Sequence, residues 1–324
     1  MSMNNKSFIG VDIGGTKTAV VLSGALPQVM WRQEFPTLPA DGPQAAIQQI
    51  LALIEKALTA NNLTSSDIES IGVSCGGPLD PAAGVIQAPP NLSTWVDVPI
   101  ARILSGRFGV VAHLENDANA GAVAEHRFGA GVGTSSMVFL TMGTGLGAGI
   151  VLHDRLYRGA SECAGEIGHV RLTKRGPVGY GKAGSVEGWA SGAGMAQTAV
   201  AAVESARRRG IETTLDAMLQ DQGRLTAQDV AAAASNGDAV ARRVIRETGK
   251  RLGQGLAILV DVLNPERIVV GGLAMRLGEA ILAPARAVLR DEALEPSMRV
   301  CEVVPAALGE TIGDLAALCV ATKL

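Results

Sequence analysis

Charge of either sign is in short supply along this chain. Of its 324 residues only 18% are Asp, Glu, Lys or Arg, and the formal net charge is −3. So mild a balance excludes a nucleic-acid-coating protein and a binder of anionic membranes, both of which present a strongly basic surface. Cysteine is scarce as well. Cys75, Cys163, Cys301 and Cys319 lie far apart and form no C-x-x-C pair. That pattern fits a reducing cytoplasm and reads each thiol as a small buried apolar residue, not a ligand or a nucleophile. No run of 18 apolar residues occurs, and the opening MSMNNKSFIG has no apolar core of signal-peptide length, so a soluble cytoplasmic protein is expected. Low complexity is confined to alanine-rich helix such as Ala231 to Ala234, and the 14 prolines and 40 glycines are not pooled into a linker. What is abundant is core. Hydrophobic residues make up 47% of a chain longer than one core usually supports, so two domains are expected.

The order of apolar runs and breakers reads as alternating strands and helices. Phe8 to Asp12 and Thr18 to Leu22 are strands around a Gly14-Gly15 turn. Asp41-Gly42-Pro43 opens a helix whose Ile47, Ile50, Leu51, Ile54 and Leu58 share one face. Strands follow at Ile71 to Cys75, broken by Gly76-Gly77-Pro78, and at Val110 to Leu114, stopping at Glu115-Asn116-Asp117; a helix is expected from Ala118 to Arg127. The opening then recurs. Met137 to Thr141, a Gly143-Thr144-Gly145 turn and Ala148 to Leu152 align without gaps, Asp12 falling on Thr141, Gly14 on Gly143 and Ala19 on Ala148. Two related α/β domains are implied. The second half is mostly helical, with a long helix from Asp238 to Leu263 stopped by Asn264-Pro265, then a buried strand from Ile268 to Val270 running into Gly271-Gly272.

Four groups of residues carry chemistry. In Asp12-Ile13-Gly14-Gly15-Thr16-Lys17 the glycines leave backbone N–H groups for a phosphate, and Asp12 could hold a hydrated Mg²⁺; the segment also reads as an ordinary hairpin turn. It is not a P-loop, which needs G-x-x-x-x-G-K-[ST] running into a helix. Thr141 to Gly149 satisfies a loose G-x-G-x-x-[GA] fingerprint, but a strand follows where a dinucleotide fold needs a helix, so a second phosphate turn fits better. At Glu115-Asn116-Asp117 a carboxylate at a strand end can take a proton from a hydroxyl, or can cap the next helix. Glu166, His169 and Glu187 add hydrogen-bonding groups near glycines of the kind sugar hydroxyls require; each also reads as a structural or solvated side chain.

Together these segments resemble the ROK family of bacterial sugar kinases and sugar-responsive repressors, within the actin-like ATPase superfamily. The resemblance rests on Asp12 to Lys17, Gly76-Gly77-Pro78-Leu79-Asp80, Pro90-Asn91-Leu92, Glu115 to Asn119, Thr141 to Gly147, Ala164 to His169 and Val269-Val270-Gly271-Gly272. It implies an α/β fold of two actin-like (RNase H-like) domains with a cleft between them. It further implies Asp117 as catalytic base, with Asn91, Asn116, Glu166, His169 and Glu187 gripping the sugar. Asp12, Gly14, Gly15, Thr16, Lys17, Thr144, Gly145, Gly271 and Gly272 would hold ATP and Mg²⁺. The reaction implied is phosphorylation of a hexose, glucose at its 6-hydroxyl first and N-acetylmannosamine or another hexose next. A homodimer is implied; the mild net charge and the lack of a long apolar run, not the resemblance, give the expectation of no nucleic-acid or membrane partner.

One segment departs from the family. Where its kinases usually carry C-x-C-G-x-x-G-C-x-E, this chain has Val178, Tyr180 and Ser185 at the thiolate positions. None is a zinc ligand of the expected kind, so no structural zinc is expected and His169 is left to the sugar. A non-catalytic sugar sensor of the same family is the alternative. Its DNA-binding form carries a winged helix before the sugar domain, for which the early Asp12 leaves no room. Another actin-like ATPase would leave Gly165 to His169 unexplained. The expected domains are residues 1–117 with 310–324, and 118–309.

Overall fold

The computed structural model describes residues 6–323. These fall into two compact units, the first comprising residues 6–132, 154–164 and 308–323, the second residues 133–153 and 165–307. Both are α/β.

In the first unit, strands Ser7–Ile13, Lys17–Ser23, Trp31–Pro36, Ile68–Cys75 and Val111–Asn116 form one five-stranded sheet. The first three strands are an antiparallel meander, because a short turn returns the chain at once. Ile68–Cys75 and Val111–Asn116 then add in parallel on the other side, each after a helix long enough to cross the sheet. The two faces bury different sets. Ile9, Val11 and Ile13 pack with Ile47, Ile50 and Ile54 of helix Pro43–Ala60 and with Leu104 of helix Ile100–Phe108. The opposite face carries helices Asp117–Phe128 and Ile312–Ala321, meeting through Val123, Ala124, Leu315 and Leu318. The first unit thus includes the Asp117–Phe128 helix, which the expected boundary gave to the second domain, because that helix buries its alanine face against the terminal one.

The terminal helix lies unusually close to the sheet. A Cβ on Gly72 would overlap the backbone of Ala317 and Ala321, and one on Gly10 would sit 3.0 Å from the Leu318 amide nitrogen. Only residues without a side chain admit a helix at that depth. The Ser70 hydroxyl secures the contact by donating to the Ala321 carbonyl at 2.5 Å.

The second unit repeats the plan. Strand Leu146–Leu152 pairs antiparallel with Met137–Met142, and Arg267–Gly272 and Glu302–Pro305 add in parallel beyond it. The gapless alignment of the two hairpins conceals one difference. The Gly14 amide bonds to the Lys17 carbonyl, whereas the Gly143 amide bonds to the Gly145 carbonyl, so the two turns close differently. Accordingly Asp12 pairs with Ala19 but Thr141 with Gly147, a register apart by one residue. Helix Ala239–Leu263 starts at the Asp238 carboxylate, which accepts from the amides of Val240 and Ala241 at 2.9 Å each, and stops at Asn264 in the left-handed region. It packs on helix Glu279–Glu292, where Gly249 and Gly253 bring the two backbones together.

The thiols divide by position. Cys75 and Cys319 are buried, and burial pushes both up, Cys319 to about 11. Cys163 is exposed and Cys301 only partly covered, which corrects the expectation that all four are buried.

Placing a methyl group at Gly72 should therefore force the terminal helix outward. Gly72→Ala is expected to lose about 1–3 kcal/mol, read as a thermal midpoint several degrees lower. Gly106→Ala, in helix Ile100–Phe108 with nothing within 4 Å of the added carbon, should instead hold or raise the midpoint. Equal midpoints for the two variants would show that the contact at Gly72 yields without strain.

Candidate active site

Several of the candidate residues, Asp12, Asn116 and Gly272 among them, lie at the C-terminal ends of parallel strands, where α/β sheets place their ligands. In the first unit Ser74 lies beside Asp12 on one neighbouring strand and beside Glu115 on the other. Asp117 follows directly after Asn116, at the start of a helix. The capping duty falls to Asn116, whose Oδ1 accepts from the amides of Ala118 at 2.9 Å and Asn119 at 3.4 Å. Asp117 is thereby spared the role of N-cap. Its Oδ1 accepts from the Ala118 amide at 2.8 Å, and its other oxygen lies over the Gly76 backbone.

Below this pair Glu115 is buried and fixes the strand end. It accepts from the Asn116 amide at 2.9 Å, from Asn119 Nδ2 at 3.0 Å, and from Arg158 at 2.8–2.9 Å. Sequence reasoning gave Glu115 no role of its own.

The electrostatics of the first unit are set by crowded carboxylates. Burial raises Asp12 to about 7, helped by the nearby charges of Asp117 and Asp314; a hydrogen bond from Ser74 and the charge of Lys17 pull the other way. Protein packed around Asp117 raises it too, although part of its surface stays open to water. Asp314 was not foreseen. It sits in the first turn of the terminal helix, held by Arg32 Nε at 2.7 Å, and Gly313 before it leaves no room for a side chain against Asp12. Nothing in the local sequence marks Gly313-Asp314; only the return of the chain end to the first unit brings them there. Lys17 leans toward Glu34 at 3.5 Å on the outer strands.

Both glycine turns leave donors unused. Among the described residues the amides of Gly15 and Thr16 find no acceptor, and nor do those of Thr144 and Gly145. Exposed amides on a tight turn are a cradle for an anion. Each turn is backed by a candidate sugar residue. Asn91, in the short turn Pro90–Leu92, lies against Gly15, where a Cβ would come within 2.6 Å of its own. Glu187 accepts from the Leu146 amide at 3.0 Å, and a Cβ on Gly145 would sit 2.8 Å from its oxygen. In the second unit Gly272, at φ +65°, runs beside Met142, so Gly271-Gly272 and the Thr144 turn end neighbouring strands.

The remaining second-unit candidates form a looser group. His169 Nε2 stands 3.7 Å from Glu166, both exposed, and its ring meets Tyr180 edge-on at 5.0 Å. Lys182 Nζ donates to the His169 carbonyl at 2.8 Å. The positions where thiolates were sought have other work. Tyr180 packs on His169, Ser185 caps the helix Val186–Ala190 through the Gly188 amide, and Val178 lies in a small hairpin with Ala183.

Comparison with known proteins places this arrangement. The family model described as ROK family matches residues 8–323. The chain is 32% identical over 286 residues to a glucokinase of Halalkalibacterium halodurans, covering 88% of this chain and 85% of that protein. It is 30% identical to a xylose repressor of Caldicellulosiruptor bescii, covering 87% of this chain and 70% of the repressor. Among solved structures, a ROK family glucokinase from Streptomyces griseus in complex with glucose and AMPPNP superposes with a TM-score of 0.77 at 30% identity, covering 98% of this chain and all of that one. The chain belongs to the ROK family, and its fold is the actin-like ATPase fold of that family's hexokinases. Among the described residues no helix is long and apolar enough to cross a membrane.

Two outcomes follow from the geometry. A carboxyl whose folded pKa is raised binds its proton more tightly folded than unfolded, so its stabilising effect is present in acid and lost as pH rises through the folded value. For Asp12 that window runs from the ordinary value of 3.8 to about 7. Asp12→Asn should leave the thermal midpoint unchanged at pH 4 and raise it at pH 8; a midpoint equal to wild type at both ends would refute the crowding. Metal analysis of purified protein should find zinc far below one per chain, since Val178, Tyr180 and Ser185 supply no thiolate.

Proposed function

We propose that this protein is an ATP-dependent hexose kinase, with Asp117 as general base and glucose, at its 6-hydroxyl, as the first substrate to test. The observation that carries the reading is the division of labour at the strand end. Asn116 caps the helix, and this leaves the Asp117 carboxylate, with a pKa above the ordinary aspartate range, to accept a proton. A base is more effective as its pKa approaches the working pH. In the proposed reaction the sugar hydroxyl gives its proton to Asp117 as its oxygen bonds to the γ-phosphorus, and the bond to the ADP oxygen breaks.

The residues fit the nucleotide. Two turns with unused amides, Gly15-Thr16 and Thr144-Gly145, suit phosphate oxygens, and Gly271-Gly272 suits the nucleoside end. Lys17 adds a positive charge beside the first turn. Mg²⁺ would be held through Asp12, usually with several waters and phosphate oxygens, and would neutralise charge on the transferred group. Asn91, Asn116, Glu166, His169 and Glu187 are proposed as the residues that bind the hexose. Glu187, bonded to the Leu146 amide, would tie sugar binding to the phosphate turn.

Similarity to a repressor favours a second reading, a sugar-responsive regulator without turnover. Coupled ADP release with Mg-ATP over glucose, mannose, fructose, allose, N-acetylglucosamine and N-acetylmannosamine separates the two. Turnover with one sugar is expected. Silence across the panel from protein that still binds a sugar would establish the regulator instead. Asp117→Asn should lower kcat by about 10²- to 10⁴-fold while sugar affinity stays within about threefold. The acid limb of kcat/KM should lie above the ordinary aspartate pKa of 3.8. Retained turnover in that variant would remove Asp117 from the role.

A further inference from the structure

Behind the strand that ends in Asn116 lies a cavity of about 520 Å³, wholly within the first unit. None of the residues proposed for sugar or nucleotide lines it. Its walls come from residues 81–84, helix Ile100–Phe108, strand Val111–Asn116, residues 158–162 and the end of the chain. The volume is that of a small-molecule site.

The charges around it are unequal. Arg158 is engaged by two carboxylates, Glu115 at 2.8 Å and Glu162 at 3.4 Å. Arg102 and Lys323 also line the cavity, and among the described residues neither side chain has a carboxylate partner. The third feature is His113. Burial and the charge of Lys323 keep it below its ordinary pKa, and its Nε2 is buried with no hydrogen-bond partner. A buried polar atom left without a partner is destabilising and calls for an explanation. Two cations without a carboxylate partner, beside an Arg158 shared by Glu115 and Glu162, describe a site short of an anion.

We propose that this cavity is a second ligand site that takes a small phosphate oxyanion, inorganic phosphate or a phosphate monoester. Arg102 and Lys323 supply the charge. Arg158 gives the site a route to the strand end. Its guanidinium holds Glu115, and Glu115 holds the Asn116 amide and Asn119 Nδ2. An anion drawn to Arg158 competes with Glu115 for it and loosens the segment that presents Asp117. This coupling rests on the kinase reading; the binding itself does not.

Calorimetric titration of the full chain with inorganic phosphate and with glycerol 3-phosphate, without nucleotide or sugar, tests the binding. Wild type should bind at least one of the two, and which of them binds more tightly identifies the source. The Arg102→Ala/Lys323→Ala variant, altered only at exposed side chains, should bind it at least about tenfold more weakly. Its turnover without anion should match wild type. Absence of binding to wild type, or equal binding by the variant, would overturn the site, the latter because the anion would then lie elsewhere, as in the glycine turns. The same anion should lower kcat of wild type and leave the variant unaffected. Unchanged kcat in wild type with the cavity filled would overturn the coupling alone.

Discussion

The approach of helix Ile312–Ala321 to the first sheet is the contact on which the rest depends. Gly10 and Gly72 remove two side chains from the strands beneath it, and the helix settles against bare backbone. That depth does more than fill a core. It presents Gly313 to the Asp12 carboxylate and places Asp314 close enough to raise its pKa. It also gives helix Asp117–Phe128 its packing partner, and so fixes the point at which Asp117 emerges. Residues some 300 positions apart in sequence thus share one electrostatic environment because two glycines let the helix in.

That environment is unbalanced in a way that suits a phosphoryl-transfer site. Asp12 is raised first by burial and then by the charges of Asp117 and Asp314, while Asp117 keeps part of its surface open to water. Among the described residues the amides of Gly15 and Thr16 on the nearby turn meet no acceptor. Surplus negative charge beside surplus hydrogen-bond donors is the complement of a cation bound to phosphates. A kinase and a sugar-responsive regulator can share such a scaffold, since function resides in the site and not in the fold.

Much of this was legible in the chain itself. The run of apolar residues up to Asp12, the glycines after it and the return at Thr18 could only be a hairpin, and the recurrence at Met137 announced a second unit of the same plan. Helix Ala239–Leu263 was readable from its period and its Asn264-Pro265 stop; that Asp238 caps it was not. The one-residue difference in register was not, because it depends on which carbonyl each turn amide meets, and an alignment counts residues and not hydrogen bonds. Whether Asn116 or Asp117 caps the helix was equally hidden: both are good caps, and only backbone conformation chooses between them.

The sequence by itself determined the periodic and local features: strands, helices, glycine turns and the absence of thiolates at positions 178, 180 and 185. These follow from residue type and spacing, which act over a few bonds. Tertiary structure alone decided the pairing of Glu115 with Arg158, the closeness of Asp314 to Asp12, and the gathering of His113, Arg102 and Lys323 on one cavity. Each joins segments from separate parts of the fold, and electrostatics and burial act through space, so their consequences exist only once the chain has brought those segments together.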